Sequence, residues 1–220
     1  MGGERLLLHT CCGPCTIHPL EVLRAEGWEV HGYFFNPNVH PYTEYRRRAE
    51  TLAAYAAGVG LPLTLAPDYP VEEFLRQVVF REDERCRFCY GLRLRRAARM
   101  AREGQFHAFT TTLLVSPYQK HDLVREEGLR AASEEGVEFL YRDFRGGFRE
   151  ARARARDLGM YRQPYCGCLY SERERYCKKA KGHHVLRGDV KGSDVGKSGA
   201  HAPFDGVLPA GHGRTAPDRR

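Results

Sequence analysis

Short apolar runs alternate with longer segments whose apolar residues recur every three or four positions. Residues 5–10 pass through Leu6, Leu7 and Leu8 and stop at small or polar residues, the pattern of a parallel strand buried on both faces. Segment 16–26 sets Ile17, Leu20, Val22 and Leu23 among polar residues and stops at Gly27, which predicts a helix. Residues 28–35 form a second strand, closed by the turn signal Asn36, Pro37 and Asn38. Helical spacing returns at 42–58 with Tyr45, Ala49, Leu52, Ala53 and Ala56. A strand at 61–65, helices at 71–79 and 89–103, a Thr- and Phe-rich strand at 106–115, a helix at 122–136 and a strand at 137–141 follow. Helices at 148–158 and 171–179 complete the series.

Strands alternating with helices predict an α/β fold, a parallel sheet with helices on both faces. In such folds ligands collect beyond the carboxyl ends of the strands. Cysteines follow the first strand, Asn36 follows the second, and segment 111–119 follows the fourth, so three polar segments are expected at one sheet edge.

The periodic pattern fades after residue 180, and charge locates the same boundary. Of the formal net charge of +7, segment 178–220 supplies +5, nine Lys or Arg against four Asp. We read 1–180 as one metal-binding α/β catalytic domain and 181–220 as a disordered basic tail, solvated and at most weakly attracted to RNA. Within the body, segment 142–162 holds seven Arg against Asp143, Glu150 and Asp157. Arg149, Arg152 and Arg156 share one side of the helix at 148–158, either as a solvated face or as a phosphate-binding one.

The cysteines carry the chemistry. Seven of the eight fall into three groups: Cys11, Cys12 and Cys15; Cys86 and Cys89; Cys166 and Cys168. Disulfides are disfavoured, because Cys11 and Cys12 are adjacent, only Gly167 separates Cys166 from Cys168, and 220 residues with 42% hydrophobic content can bury a core. No apolar signal segment precedes the first strand and no run approaches membrane-spanning length. A reduced cytoplasmic protein with no membrane partner is the expectation, and clustered cysteines there are metal-binding or catalytic. Cys12-Gly13-Pro14-Cys15 matches the redox core of thioredoxins, but that chemistry uses two thiols and leaves five without a role. A four-thiolate zinc site from Cys86, Cys89, Cys166 and Cys168 is a competitor that leaves Cys11, Cys12 and Cys15 outside. Seven thiols exceed one tetrahedral site and suit an iron–sulfur cluster with a second metal or redox thiols beside it. Cys177 stands apart as a free thiol.

Five motifs then carry a resemblance. Segment 8–15 (Leu-His-Thr-Cys-Cys-Gly-Pro-Cys), segment 33–45 around Asn36, His40 and Tyr42, Cys86 to Tyr90, segment 110–121 ending in Tyr118, Gln119, Lys120 and His121, and Gln163 to Cys168 together resemble the QueH family of epoxyqueuosine reductases. The match runs from about residue 5 to 178, in order. The resemblance implies a fold related to the adenine-nucleotide alpha-hydrolase and PP-loop (HUP) group, with the cysteine loop where those relatives keep a phosphate loop. It implies a cobalamin-independent oxidoreductase that reduces the epoxide of epoxyqueuosine, at the wobble position of tRNA, to the alkene of queuosine. It also implies a [4Fe-4S] cluster, an adjacent mononuclear metal expected to be iron, a tRNA bearing epoxyqueuosine as partner, and an unidentified electron donor.

On that basis Cys86, Cys89 and Cys166 or Cys168 are assigned to the cluster, and Cys11, Cys12 and Cys15 to the second metal. Some relatives carry Asp where Cys15 stands, so an oxygen ligand suits that position. Cys11, Cys12, His9, Tyr118 and His121 are the catalytic candidates, with His40 also weighed as a proton donor; a structural hydrogen-bonding role is the plainer alternative for each histidine. Asn36, His40, Tyr42, Thr111, Arg149 and Arg152 are the substrate-binding candidates. Tyr42, Tyr90 and Tyr165 are placed to stack on anticodon bases or to pack in the core. The rival from another class is a zinc-stabilised tRNA- or adenylate-binding module without redox activity. A phosphate-loop ATPase is disfavoured, since cysteines replace the Gly/Ser-rich loop after the first strand.

Overall fold

The computed structural model describes residues 3–177. The expected tail at 181–220 lies outside the described residues, as do Lys178 and Lys179 of the helix expected at 171–179. Five strands, β1 (Arg5–His9), β2 (Glu29–Phe34), β3 (Leu63–Leu65), β4 (Ala108–Thr111) and β5 (Glu138–Phe139), form one sheet in the order β3-β2-β1-β4-β5. Every pairing is parallel, and β1 is central, with His9 opposite Tyr33 on one side and Thr111 on the other. The all-parallel pairing is that of the α/β fold expected above.

Leu6, Leu7 and Leu8 are all fully buried although successive residues of a strand point to opposite faces. Both faces of β1 are therefore covered. One helical layer joins α1 (Gly13–Ala25) to α2 (Tyr42–Gly58) and α6 (Phe148–Asp157). The other joins α4 (Arg85–Glu103) to α3 (Val71–Val78) and α5 (His121–Glu135). Burying each leucine of β1 stabilises the fold by about 2 kcal/mol. A last helix, α7 (Leu169–Tyr176), follows the second cysteine pair directly. Among the described residues no helix is long and apolar enough to cross a membrane.

Several element ends shift by a residue or two, and three larger shifts fall at the sheet edge where cysteines gather. Helix α1 starts at Gly13 rather than 16, because Pro14 has no N–H to leave unpaired in a first turn; Cys15 is thus helical. Helix α4 starts at Arg85, which puts Cys86 and Cys89 on its first turns, three residues apart on one side. The fourth strand stops at Thr111, whose hydroxyl accepts from Leu113 N–H and turns the chain into a 3-10 segment over Thr112–Val115. Its neighbour β1 has already ended at His9, so the ladder has no partner to continue on.

Candidate metal centre and substrate cavity

The chain reverses its winding direction between β1 and β4, and the crevice beyond their carboxyl ends holds the site. Cys12 is the extended N-cap of α1, and its carbonyl accepts from the Thr16 hydroxyl at 2.9 Å. Cys11, Cys12 and Cys15 consequently surround the positive end of the helix, where thiolate charge is favoured. The Cys11 and Cys12 Sγ atoms are 3.8 Å apart, and all three Sγ atoms lie within 4.8 Å of one another.

Acidity is unequal within this trio. Hydrogen bonds from Cys12 and Cys15, and a lesser one from Thr112 with the nearby Arg93 guanidinium, hold Cys11 well below the usual thiol range. Burial pushes Cys12 up, while its neighbours Cys11 and Cys12 push Cys15 up. Cys11 is therefore the readiest of the three to lose its proton, and a cation bound here makes all three ligands by displacing the protons that remain. Four thiolates about 2.3 Å from one tetrahedral ion stand about 3.8 Å apart, so the trio fits a single metal ion.

The second group is assembled from distant segments. Cys89, buried at the start of α4, packs with Cys168, Phe74 and Val78, and its charge environment includes Cys86, Cys166 and Cys168. Burial pushes Cys89 up to about 12. Cys166 is exposed and Cys86 half-buried, so this group opens toward solvent. Among the described residues the trio is the one group of three whose ligand atoms all lie within 4.8 Å.

Two buried arginines, neither singled out from the sequence, hold the parts together. Arg48 on α2 pairs with Glu44 at 2.7 Å and donates to the carbonyls of Cys166 (2.8 Å) and Tyr165 (3.1 Å). Arg93 on α4 donates to Cys89 Sγ (3.1 Å) and to Asn36 Oδ1 (3.2 Å). Their helical signals were present: Arg48 follows Glu44 by four residues and Arg93 follows Cys89 by four. Gln163 was quoted within a motif without a role, yet its amide donates to Cys12 Sγ at 2.8 Å. Gln119 likewise donates to Cys166 Sγ at 3.3 Å while accepting from the Tyr90 hydroxyl at 2.7 Å. Gly167 has φ +144, and a Cβ there would lie 3.0 Å from Val39 and 3.1 Å from Arg48, so only glycine passes between the two cysteines.

Both groups border a cavity of about 440 Å³, with Cys11, Cys15, Arg93 and Cys166 in its wall. The exposed Tyr118, Arg152, Arg162 and Arg175 line it toward solvent. Tyr118 meets the Phe148 ring edge-on, and the Arg152 guanidinium lies over that ring at 5.7 Å from its centroid.

A family model described as "Epoxyqueuosine reductase QueH" matches residues 6–174. The chain belongs to the QueH family. Curated relatives of that name include one from Dehalococcoides mccartyi, 37% identical over 80% of this chain and 97% of its own length. Others come from Histophilus somni, 35% identical over 79% of this chain and 74% of the relative, and Thermotoga maritima, 31% over 80% and 94%.

Within this QueH chain the remaining candidates separate into wall and scaffold. His9 is fully buried, its Nδ1 2.8 Å from the Thr111 hydroxyl and its Nε2 3.1 Å from Phe35 O. Burial first, then the Arg93 charge, lowers it to about 4, so the ring is neutral and braces the strand ends. Thr111 is equally buried in the same bond. Asn36 donates to Thr10 O at 2.9 Å and orients Arg93, which makes it a support of the cysteine loop. His40 is buried against Phe74 beside Leu169, and burial lowers its pKa. His121 is buried outside the cavity wall, lowered by burial and then by Arg145. Tyr42 lies with Tyr45 and Tyr69 in a second depression. Arg149 is exposed and does not line the cavity, whereas Arg152 does. Tyr90 is buried and bonded to Gln119, and Tyr165 lines the cavity with its hydroxyl on His40 O.

Proposed function

We propose that this protein is an epoxyqueuosine reductase that acts on the wobble nucleoside of tRNA, without cobalamin, in the reducing cytoplasm. The observation that carries this reading is the convergence of cysteines from two distant segments on one open cavity with a basic, aromatic mouth, with Cys89 of a third segment packed against Cys168. Reduction breaks both C–O bonds of the epoxide, forms the C=C bond and releases the oxygen as water, consuming two electrons and two protons. A [4Fe-4S] cluster on Cys86, Cys89, Cys166 and Cys168 would supply single electrons, and an adjacent iron on Cys11, Cys12 and Cys15 a Lewis acid for the epoxide oxygen.

The chain's own residues supply the rest. Arg152, Arg162 and Arg175 meet the anionic backbone of the anticodon loop, and Tyr118 with Phe148 offers a face on which an unpaired base stacks. The pocket beyond them admits one nucleoside at a time, and its walls keep the epoxide next to the sulfur groups. Gln163 and Gln119 orient the thiolates from behind. An external reductant enters by the exposed Cys166 side.

Loss of the gene should leave epoxyqueuosine in tRNA, and its restoration should lower the nucleoside mass by one oxygen. An unchanged mass with metal-loaded protein present would remove the reductase reading. The tight trio also fits zinc. Colour separates the two readings: a brown anaerobic preparation follows from iron and sulfide, a colourless one from a zinc-stabilised RNA-binding module.

A further inference from the structure

One buried cation serves both sulfur groups. Arg93 is 2% exposed, and among the described residues no carboxylate pairs with it. Its Nε donates to Cys89 O at 3.1 Å, its Nη2 to Cys89 Sγ at 3.1 Å and its Nη1 to Asn36 Oδ1 at 3.2 Å. Its charge acts on Cys89, Cys166 and Cys11, and it stands in the cavity wall between them. Burying a guanidinium costs several kcal/mol unless negative charge meets it. The negative charge available here is sulfur.

We propose that Arg93 is a positioning residue that sets the electron affinity of the metal centre. This rests on the iron–sulfur reading above. Each electron added to a thiolate-bound cluster adds negative charge, and a fixed positive charge a few ångströms away, in a buried medium, lowers the energy of the reduced state. Arginine stays protonated at all working pH values, so the bias is permanent. Asn36 fixes the plane of the guanidinium while holding Thr10 O, one residue before Cys11, which locks the cation in register with both groups. Gln119 and Gln163 also donate to sulfur but carry no charge, and their contribution is smaller.

The test is a redox titration of the full chain, reconstituted anaerobically with iron and sulfide and followed by electron paramagnetic resonance, with iron and sulfide content measured for each variant. In Arg93→Gln the ratio of reduced to oxidised cluster, read at the wild-type midpoint, falls at least tenfold, a negative shift of about 59 mV or more. Arg93→Lys keeps the charge and stays within about threefold of wild type. A fully loaded Arg93→Gln with the wild-type midpoint overturns the proposal, and so does an Arg93→Lys that falls as far as Arg93→Gln. Where Arg93→Gln fails to load, a loaded Arg93→Lys with the wild-type midpoint sustains the proposal. Failure of both to load makes Arg93 a scaffold residue and overturns it. A wild-type protein with no reducible iron refutes the iron–sulfur reading itself, before any variant is compared.

Discussion

The two sulfur groups reach the same cavity by opposite routes. Cys11, Cys12 and Cys15 belong to one loop and the first turn of one helix, so forming β1 and α1 brings them within 4.8 Å of each other. Cys86 and Cys89 meet Cys166 and Cys168 only after some 80 residues of chain have packed, and Cys166 ends exposed. A local group is secured by its own element, whereas an assembled group depends on side chains that have no sulfur at all. The looser group should therefore be the more fragile, and that contrast can be broken experimentally.

The largest effect is expected from Arg48→Met. The substitution leaves Glu44 buried beside only the Tyr161 hydroxyl and strips two carbonyls at Tyr165 and Cys166 of their donors. Breaking a buried pair by removing one partner costs about 3–5 kcal/mol, which lowers the melting temperature of a domain this size by about 10 °C. Sulfide and most iron should be lost after reconstitution, with about one metal ion per chain retained at the trio. Equal loss from both groups would show that they are one unit.

A smaller change follows acidification and falls on the floor under the trio. His9 is neutral in the folded chain down to about pH 4, but an unfolded histidine takes up its proton near pH 6.5. Between those values the unfolded state binds more protons, so stability that is present above pH 6.5 declines as pH falls, by about 3 kcal/mol at pH 4. Urea unfolding of metal-free protein at pH 7 and pH 4.5 measures it, and His9→Gln should flatten that part of the profile. A wild-type profile already flat over this range would mean that His9 does not brace the strand ends.

Much of this arrangement was legible in the sequence because short-range rules govern it. The apolar run at Leu6 to Leu8 required a covered central strand, and the helices followed their spacing to within a turn. Boundaries slipped where apolar periodicity is silent: at Pro14 and Thr111, where end chemistry decides them, and at Arg85, where α4 begins ahead of its first buried residue. The cysteines announced the site, but on sequence alone His9 and His40 read as proton donors or as structural hydrogen-bonding residues, and Asn36 and Thr111 as base contacts or turn caps. The structure gives each of them a bonded place behind the cavity wall. Arg48 and Arg93 were hidden because an arginine on a basic chain looks like surface, and only tertiary packing reveals that they are 2% exposed.

The smallest expected effect probes the seam between the groups. Gln163 lies three residues before Cys166, on the segment that carries the assembled group, yet its amide reaches across to Cys12 of the local trio at 2.8 Å. Removing a donor behind a metal ligand costs roughly tenfold in metal affinity, about 1.4 kcal/mol. Gln163→Leu keeps roughly the side chain's bulk and removes the amide with its N–H donor, so competition with a calibrated chelator should show about tenfold weaker retention of the trio's ion. Sulfide content should stay at the wild-type level, because Arg48 and Gly167, not Gln163, hold the loop that bears Cys166 and Cys168. If sulfide falls with the trio's ion, the amide is a strut for the whole segment, and the two groups depend on each other across the very contact that distinguishes them.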